Sequence, residues 1–145
     1  AAPDTVALTE RARHALAPQI TARHVTEQGV LRVLRLDPEI ESLTARAIER
    51  TAAGSYFNLA AGQADQILAS IRVVAARGNA ATLPPIVVTN VDVRVFVRRL
   101  VRLEFPALPV LSRQDIAAGT PVETVAFITL PRATHASDAA GAGSS

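Results

Sequence analysis

The chain predicts an α/β fold: a small open mixed sheet with helices packed on it, preceded by an N-terminal helix. Three features of its 145 residues point there. Short β-branched runs recur at 30–36, 86–89, 108–111 and 122–130. The longer stretches between them carry apolar residues at helical spacing. A hydrophobic fraction of 49% with 19% charged residues can bury one core, and the length suits one domain with appendages.

Taken in order, residues 4–24 place Leu8, Ala12, Ala15, Leu16 and Gln19 on one helical stripe, with Asp4 able to cap the first turn and Pro18 set to kink or end it. Gly29 marks a turn into the strand Val30–Leu36, which carries Arg32 and Arg35 at its edges. Asp37 is a good N-cap, Pro38 suits the first helical position, and Glu39 and Glu41 complement the positive end of the helix dipole. The stripe Ile40, Leu43, Thr44, Ala47 and Ile48 predicts a helix that Gly54 ends. A second helix is expected from Leu59 to Arg77, facing inward through Ala64, Ile67, Leu68, Ile71, Val74 and Ala75, and closed by Gly78 and Asn79. Ile86–Thr89 reads as a short buried strand, and Asn90 stands where it could cap the next helix. That helix has one apolar face of Val93, Phe96, Val97, Leu100 and Val101. Pro106 and Pro109 bracket a turn into the strand Leu108–Leu111, Ser112 can cap a brief turn through Ile116, and Val122–Leu130 supplies the last strand. The order gives at least one parallel, right-handed βαβ crossover between Ile86 and Leu111.

Composition narrows the function classes. The pI near 10.3 invites a nucleic-acid reading, but the net charge is only +2. All 15 basic residues are Arg, so a small positive excess persists to high pH because little else titrates there. Nucleic-acid domains concentrate basic residues with aromatic stacking groups, and only 3% of this chain is aromatic. With no Cys there are no disulfides, thiolate nucleophiles or zinc-thiolate sites. No apolar run approaches the roughly 20 residues that span a bilayer. The chain contains no Met, and a helix-like segment follows Ala1 at once. This fits a boundary inside a longer polypeptide or the removal of a start Met before a small residue.

Open α/β sheets often bind ligands at the carboxyl ends of their strands, so the loops there test an enzymatic reading. Neither a GxGxxG nor a Walker A sequence is present. Asn90, Val91 and Asp92 could present backbone N–H groups to an anion or simply start a capped helix. Asp37 and Asp92 follow successive strands and could be paired carboxylates, although helix-start roles explain both. His14, His24 and His135 fall on a helix, a loop and the tail, with no metal-ligand spacing to a second His, Asp or Glu.

The most distinctive surface is cationic. Arg94, Arg98, Arg99 and Arg102 occupy the face opposite the apolar one, with Glu104 the only nearby carboxylate. A solvated helix face explains them, and so does a docking surface for an acidic protein, because the guanidinium fork matches carboxylates.

Residues 84–116, PPIVVTNVDVRVFVRRLVRLEFPALPVLSRQDI, closely resemble a segment near the C-terminus of the large export-gate protein of bacterial type III secretion systems. Flagellar and virulence branches share this family. The match lies in the proline-led strand, the Arg-x-Phe-Val-Arg-Arg-Leu helix at Arg94–Leu100, then Phe-Pro, Pro-Val-Leu-Ser and Asp-Ile. Val30–Leu36 followed by Asp37 and Pro38 looks like the family's Leu-x-Val-x-x-Leu-Asp-Pro junction, and Leu8–Ile20 resembles the helix before it, apart from Pro18.

The resemblance implies that residues 1–28 end a helical third cytoplasmic subdomain, 29–131 form a compact α/β fourth subdomain and 132–145 are a flexible tail. It implies no catalysis and no cofactor. The implied partners are other protomers of a nine-membered homo-oligomeric ring, export chaperones and substrates, and the stalk and ATPase complex, with no nucleic acid. Membrane contact would come only through a missing N-terminal part, at the cytoplasmic face of the bacterial inner membrane. Because the family's ring contacts come largely from the third subdomain, this stretch alone is expected to be monomeric or weakly associated. Phe96 and the Arg98–Arg99 pair favour the virulence branch. The competing expectation is a small-ligand or nucleotide-binding α/β enzyme domain, which needs convergent polar groups in a pocket at the strand ends.

Overall fold

A computed structural model describes residues 5–76 and 84–130. Its elements run α1 (Thr5–Ala15), α2 (Ala17–Ala22), β1 (Leu31–Leu36), α3 (Pro38–Arg46), β2 (Ile48–Thr51), β3 (Gly54–Phe57), α4 (Ala61–Ala76), β4 (Ile86–Thr89), α5 (Arg94–Arg102), β5 (Val110–Ser112), a 3-10 turn (Arg113–Asp115) and β6 (Val122–Ile128). The main sheet has the order β5-β4-β1-β6 and is parallel throughout. An antiparallel β2-β3 pair forms a second sheet, and the two together make the mixed α/β character.

Both faces of the main sheet are covered, which is why β4 is buried along its whole length and β1 at every residue but Arg32 and Arg35. On one face Leu34, Leu36, Val87, Val110 and Ile128 pack against Ile40 of α3, Ile67 and Ile71 of α4, and Val97 and Val101 of α5. On the other, Leu31, Val33, Ile86, Val88 and Leu111 are covered by Ile20, Val25 and Ile116. Fully burying a side chain of this size contributes about 1.5–3 kcal/mol, so these two layers hold the sheet. The crossover β4-α5-β5 is the parallel unit expected from the sequence. After β5 the chain crosses to the far side of β1, where β6 adds in parallel; its register shifts between Val33 and Leu34 of β1, leaving Val125 of β6 as the extra residue.

The first helix departs from its sequence reading. Pro18 does break it, since α1 ends at Ala15 and α2 starts at Ala17 with the proline in its first turn. The inward face, however, is Glu10, Ala17 and Thr21, while Leu8 and Leu16 are 48% and 52% exposed. The apolar stripe points outward because this helix is held by polar groups rather than by the core.

The helix expected to continue to Gly54 stops at Arg46, and a hairpin follows. Ile48 pairs with Phe57 and Thr51 with Gly54, whose φ of +138° closes the turn. Asp37 stands at the N-cap of α3, but its side chain makes no capping bond. Nor does Asn90 cap α5: the chain turns once more, with the Val93 amide donating to the Asn90 carbonyl at 3.2 Å, before the helix opens at Arg94. Of the other expected strands, Leu108–Leu111 is observed as Val110–Ser112 and the last ends at Ile128. The expected Asp4 cap, the Gly78–Asn79 helix end and the tail beyond Leu130 lie outside the described residues.

Candidate partner-binding surface

The four arginines singled out in the sequence sit on α5, and the structure separates them. Arg94 is buried. Its Nε donates to both Glu10 carboxylate oxygens at 2.9 and 3.1 Å, its Nη2 donates to Glu10 Oε2 at 3.0 Å, and its Nη1 donates to the Val110 carbonyl at 3.4 Å. This bidentate fork ties α1 to α5 and leaves Arg94 outside the exposed face. Arg98 is half-buried; its Nη2 donates to the Pro106 carbonyl at 3.1 Å, and its Nη1 is buried with no partner among the described residues. Arg99 is exposed, its guanidinium 5.5 Å from the centre of the Phe96 ring, and Arg102 is exposed. Phe96 stacks in turn on Phe57, centroids 5.5 Å apart, so the hairpin braces the helix that carries the arginines.

Glu104 is not the counter-charge of this stripe. It accepts two bonds of 2.6 Å from Arg72 of α4, and this pairing holds its carboxyl below the usual carboxylate value and Arg72 above the usual guanidinium one. Beside this pair, Val73 and Leu103 are 55% and 78% exposed. The outer end of α5 thus presents guanidinium groups that no carboxylate among the described residues pairs, next to apolar side chains.

A polar cluster that sequence reasoning missed lies between α1 and the sheet. Arg13 donates through Nε and Nη2 to the buried Asp115 at 3.0–3.3 Å, and Asp115 also accepts from the Ser112 amide at 2.8 Å. The Thr21 hydroxyl donates to the Asp115 carbonyl and accepts from the Ala117 amide. His14 Nδ1 lies 2.9 Å from the Gln114 carbonyl. His24 sits nearby with its pKa lowered, first by desolvation and then by the positive charges of Arg23 and Arg13. The only local signal was the Glu10/Arg13 spacing, and the partners of these residues are 84 and 102 positions away.

At the strand ends Glu41 reaches from α3 to accept from the Asn90 amide at 3.1 Å and from Arg113 at 3.0 Å. A cleft of about 280 Å³ is walled by Glu10, Arg11, His14, Arg50, Asp92 and Gln114 among others. It includes Asp92 and not Asp37, so the two carboxylates weighed as a pair do not share it. Among the described residues no group of three His, Asp or Glu stands where it could hold a metal, and no helix is long and apolar enough to cross a membrane.

A model of the FHIPEP family matches residues 1–121. The chain belongs to the FHIPEP family. Within it, the chain is 31% identical over 127 residues to the flagellar biosynthesis protein FlhA of Bacillus subtilis, aligning 88% of this chain with 19% of that protein. The Chlamydia pneumoniae CdsV and CdsO complex contains a chain of the same fold, with TM-score 0.79 and 37% identity over 88% of this chain and 38% of that one. The nonameric SctV-C from EPEC matches with TM-score 0.77 and 26% identity, covering 88% and 38%. Cytosolic domains of type III secretion systems therefore share this α/β unit, and the chain spans about a fifth of the length of the curated relatives it matches.

Proposed function

We propose that the chain is a cytoplasmic piece of a type III export gate that works by contacting other proteins and catalyses nothing. The observation that carries this reading is the family match over residues 1–121 together with the likeness to a domain solved as a nonamer and to one solved in complex with a second protein, CdsO. On this reading the helices before residue 29 close a preceding helical subdomain, residues 29–131 are the docking unit, and the rest of the gate anchors it at the inner membrane. Chaperones, export substrates and the stalk and ATPase complex are the partner classes.

The docking face we favour is the outer end of α5: Arg99 and Arg102, with Arg98 at its border, beside Leu103 and Val73. Arg94 works differently, fixing α1. Exposed arginines next to exposed apolar side chains make the composition that protein interfaces favour, and the guanidinium fork selects acidic partners. A photo-crosslinking residue placed at position 102 in the full-length gate tests this. Crosslinks to other secretion proteins are expected. Crosslinks confined to lipid, or none while a probe at exposed Glu39 on α3 captures those same proteins, would move the docking face elsewhere.

A further inference from the structure

Between α1, the end of α2 and the segment leading into β5 lies a second cleft, of about 250 Å³. Its walls are Arg13, His24, Arg94, Arg98 and the stretch Ala107–Leu111. Three guanidinium groups and an imidazole thus converge, while the carboxylates bonded to them are Glu10 and Asp115. Those two neutralise Arg94 and Arg13, which leaves one unmatched positive charge, that of Arg98. Arg98 is also the group whose Nη1 is buried without an acceptor. A buried charged donor without an acceptor is unfavourable, and a carboxylate that gave it one would remove that penalty.

We propose that this cleft is a receptor pocket for a single Asp or Glu side chain of an acidic partner segment, gripped by Arg98. Among the residues that line the cleft the excess is one charge, which fits a monoanionic carboxylate better than a dianionic phosphate. The volume accommodates one side chain and leaves no room for a nucleotide. The unfavourable setting of protonated His24, beside Arg13 and Arg23, reports the same positive field. This assignment deepens the docking reading above and rests on it: Arg98 anchors, while Arg99 and Arg102 lie outside the pocket.

The test is an NMR titration of the 145-residue chain at low salt with amidated hexaglutamate, against hexaglutamine and inorganic phosphate. Hexaglutamate is expected to shift the resonances of His24 and 107–111 and to raise the His24 pKa, since a nearby anion favours the imidazolium. Hexaglutamine should do neither, and phosphate should bind more weakly. Arg98→Gln should weaken hexaglutamate by about ten-fold, the loss of one charge-assisted bond. Arg98→Lys should lose less, and Arg102→Gln should stay within about twofold; if Arg98→Gln does not fold, the Lys variant carries the comparison. Unchanged binding by the Arg98 variants with a loss in Arg102→Gln overturns the pocket but keeps the outer docking face. Loss in neither overturns both, and tighter binding of phosphate overturns the carboxylate assignment.

Discussion

At the scale of single residues, the Glu10–Arg94 pair decides where the N-terminal helix goes. Both side chains are about nine-tenths buried, so removing one leaves an uncompensated charge inside. Arg94→Ala is expected to destabilise the contact of α1 with α5 by about 3–5 kcal/mol, whereas the double change Glu10→Leu with Arg94→Met should be near neutral or stabilising. Thermal unfolding of the two variants side by side checks this. Phe96, 1% exposed and stacked on Phe57, is a second fixed point. Phe96→Ala should cost about 3–5 kcal/mol through the cavity it leaves, and chemical denaturation measures it. His24 adds a pH term. Its folded pKa lies below the ordinary 6.5, so as pH falls past that value the unfolded chain binds a proton first and stability drops. The drop ends once His24 itself protonates in the folded state. A melting-temperature series from pH 7.5 to 5 should show this decline in the wild type and a smaller one in His24→Gln.

At the scale of elements, the sequence was most legible where burial is apolar. β1, β4, α4 and the apolar face of α5 stand where periodicity predicts, because each is buried along a whole face or on both sides. The hairpin was missed because Ile48 falls in phase with the stripe of α3, so the helical pattern runs on in the sequence past the point where the helix ends. The signal was there in Gly54 followed by Ser55, Tyr56 and Phe57: a residue free to take positive φ before a β-prone run. Gly54→Ala should lose more than about 1 kcal/mol, since φ of +138° strains any side chain even though open space surrounds it. The face of α1 was misread for the opposite reason. Charges that point inward are invisible to a rule that sends apolar groups in and polar groups out. With only Glu10 buried along its length, α1 should exchange its amide hydrogens well before β1 and β4 in a hydrogen-exchange time course.

At the scale of the molecule, the candidate docking surface was half legible. The guanidinium stripe was visible as i, i+4 spacing, but its division into an inward lock, a pocket wall and an outer face depends on Glu10, Pro106 and Phe96, contacts that form only when the chain folds. The central claim is that this α/β unit belongs to a larger assembling gate and does not by itself make the ring. Light scattering of the 15.3 kDa chain, beside a chain extended N-terminally through the rest of the family's cytosolic domain, tests it most directly. The account predicts a monomer or weak self-association for the short chain and a nine-membered ring for the long one. A stable dimer of the short chain holding a small molecule would contradict it.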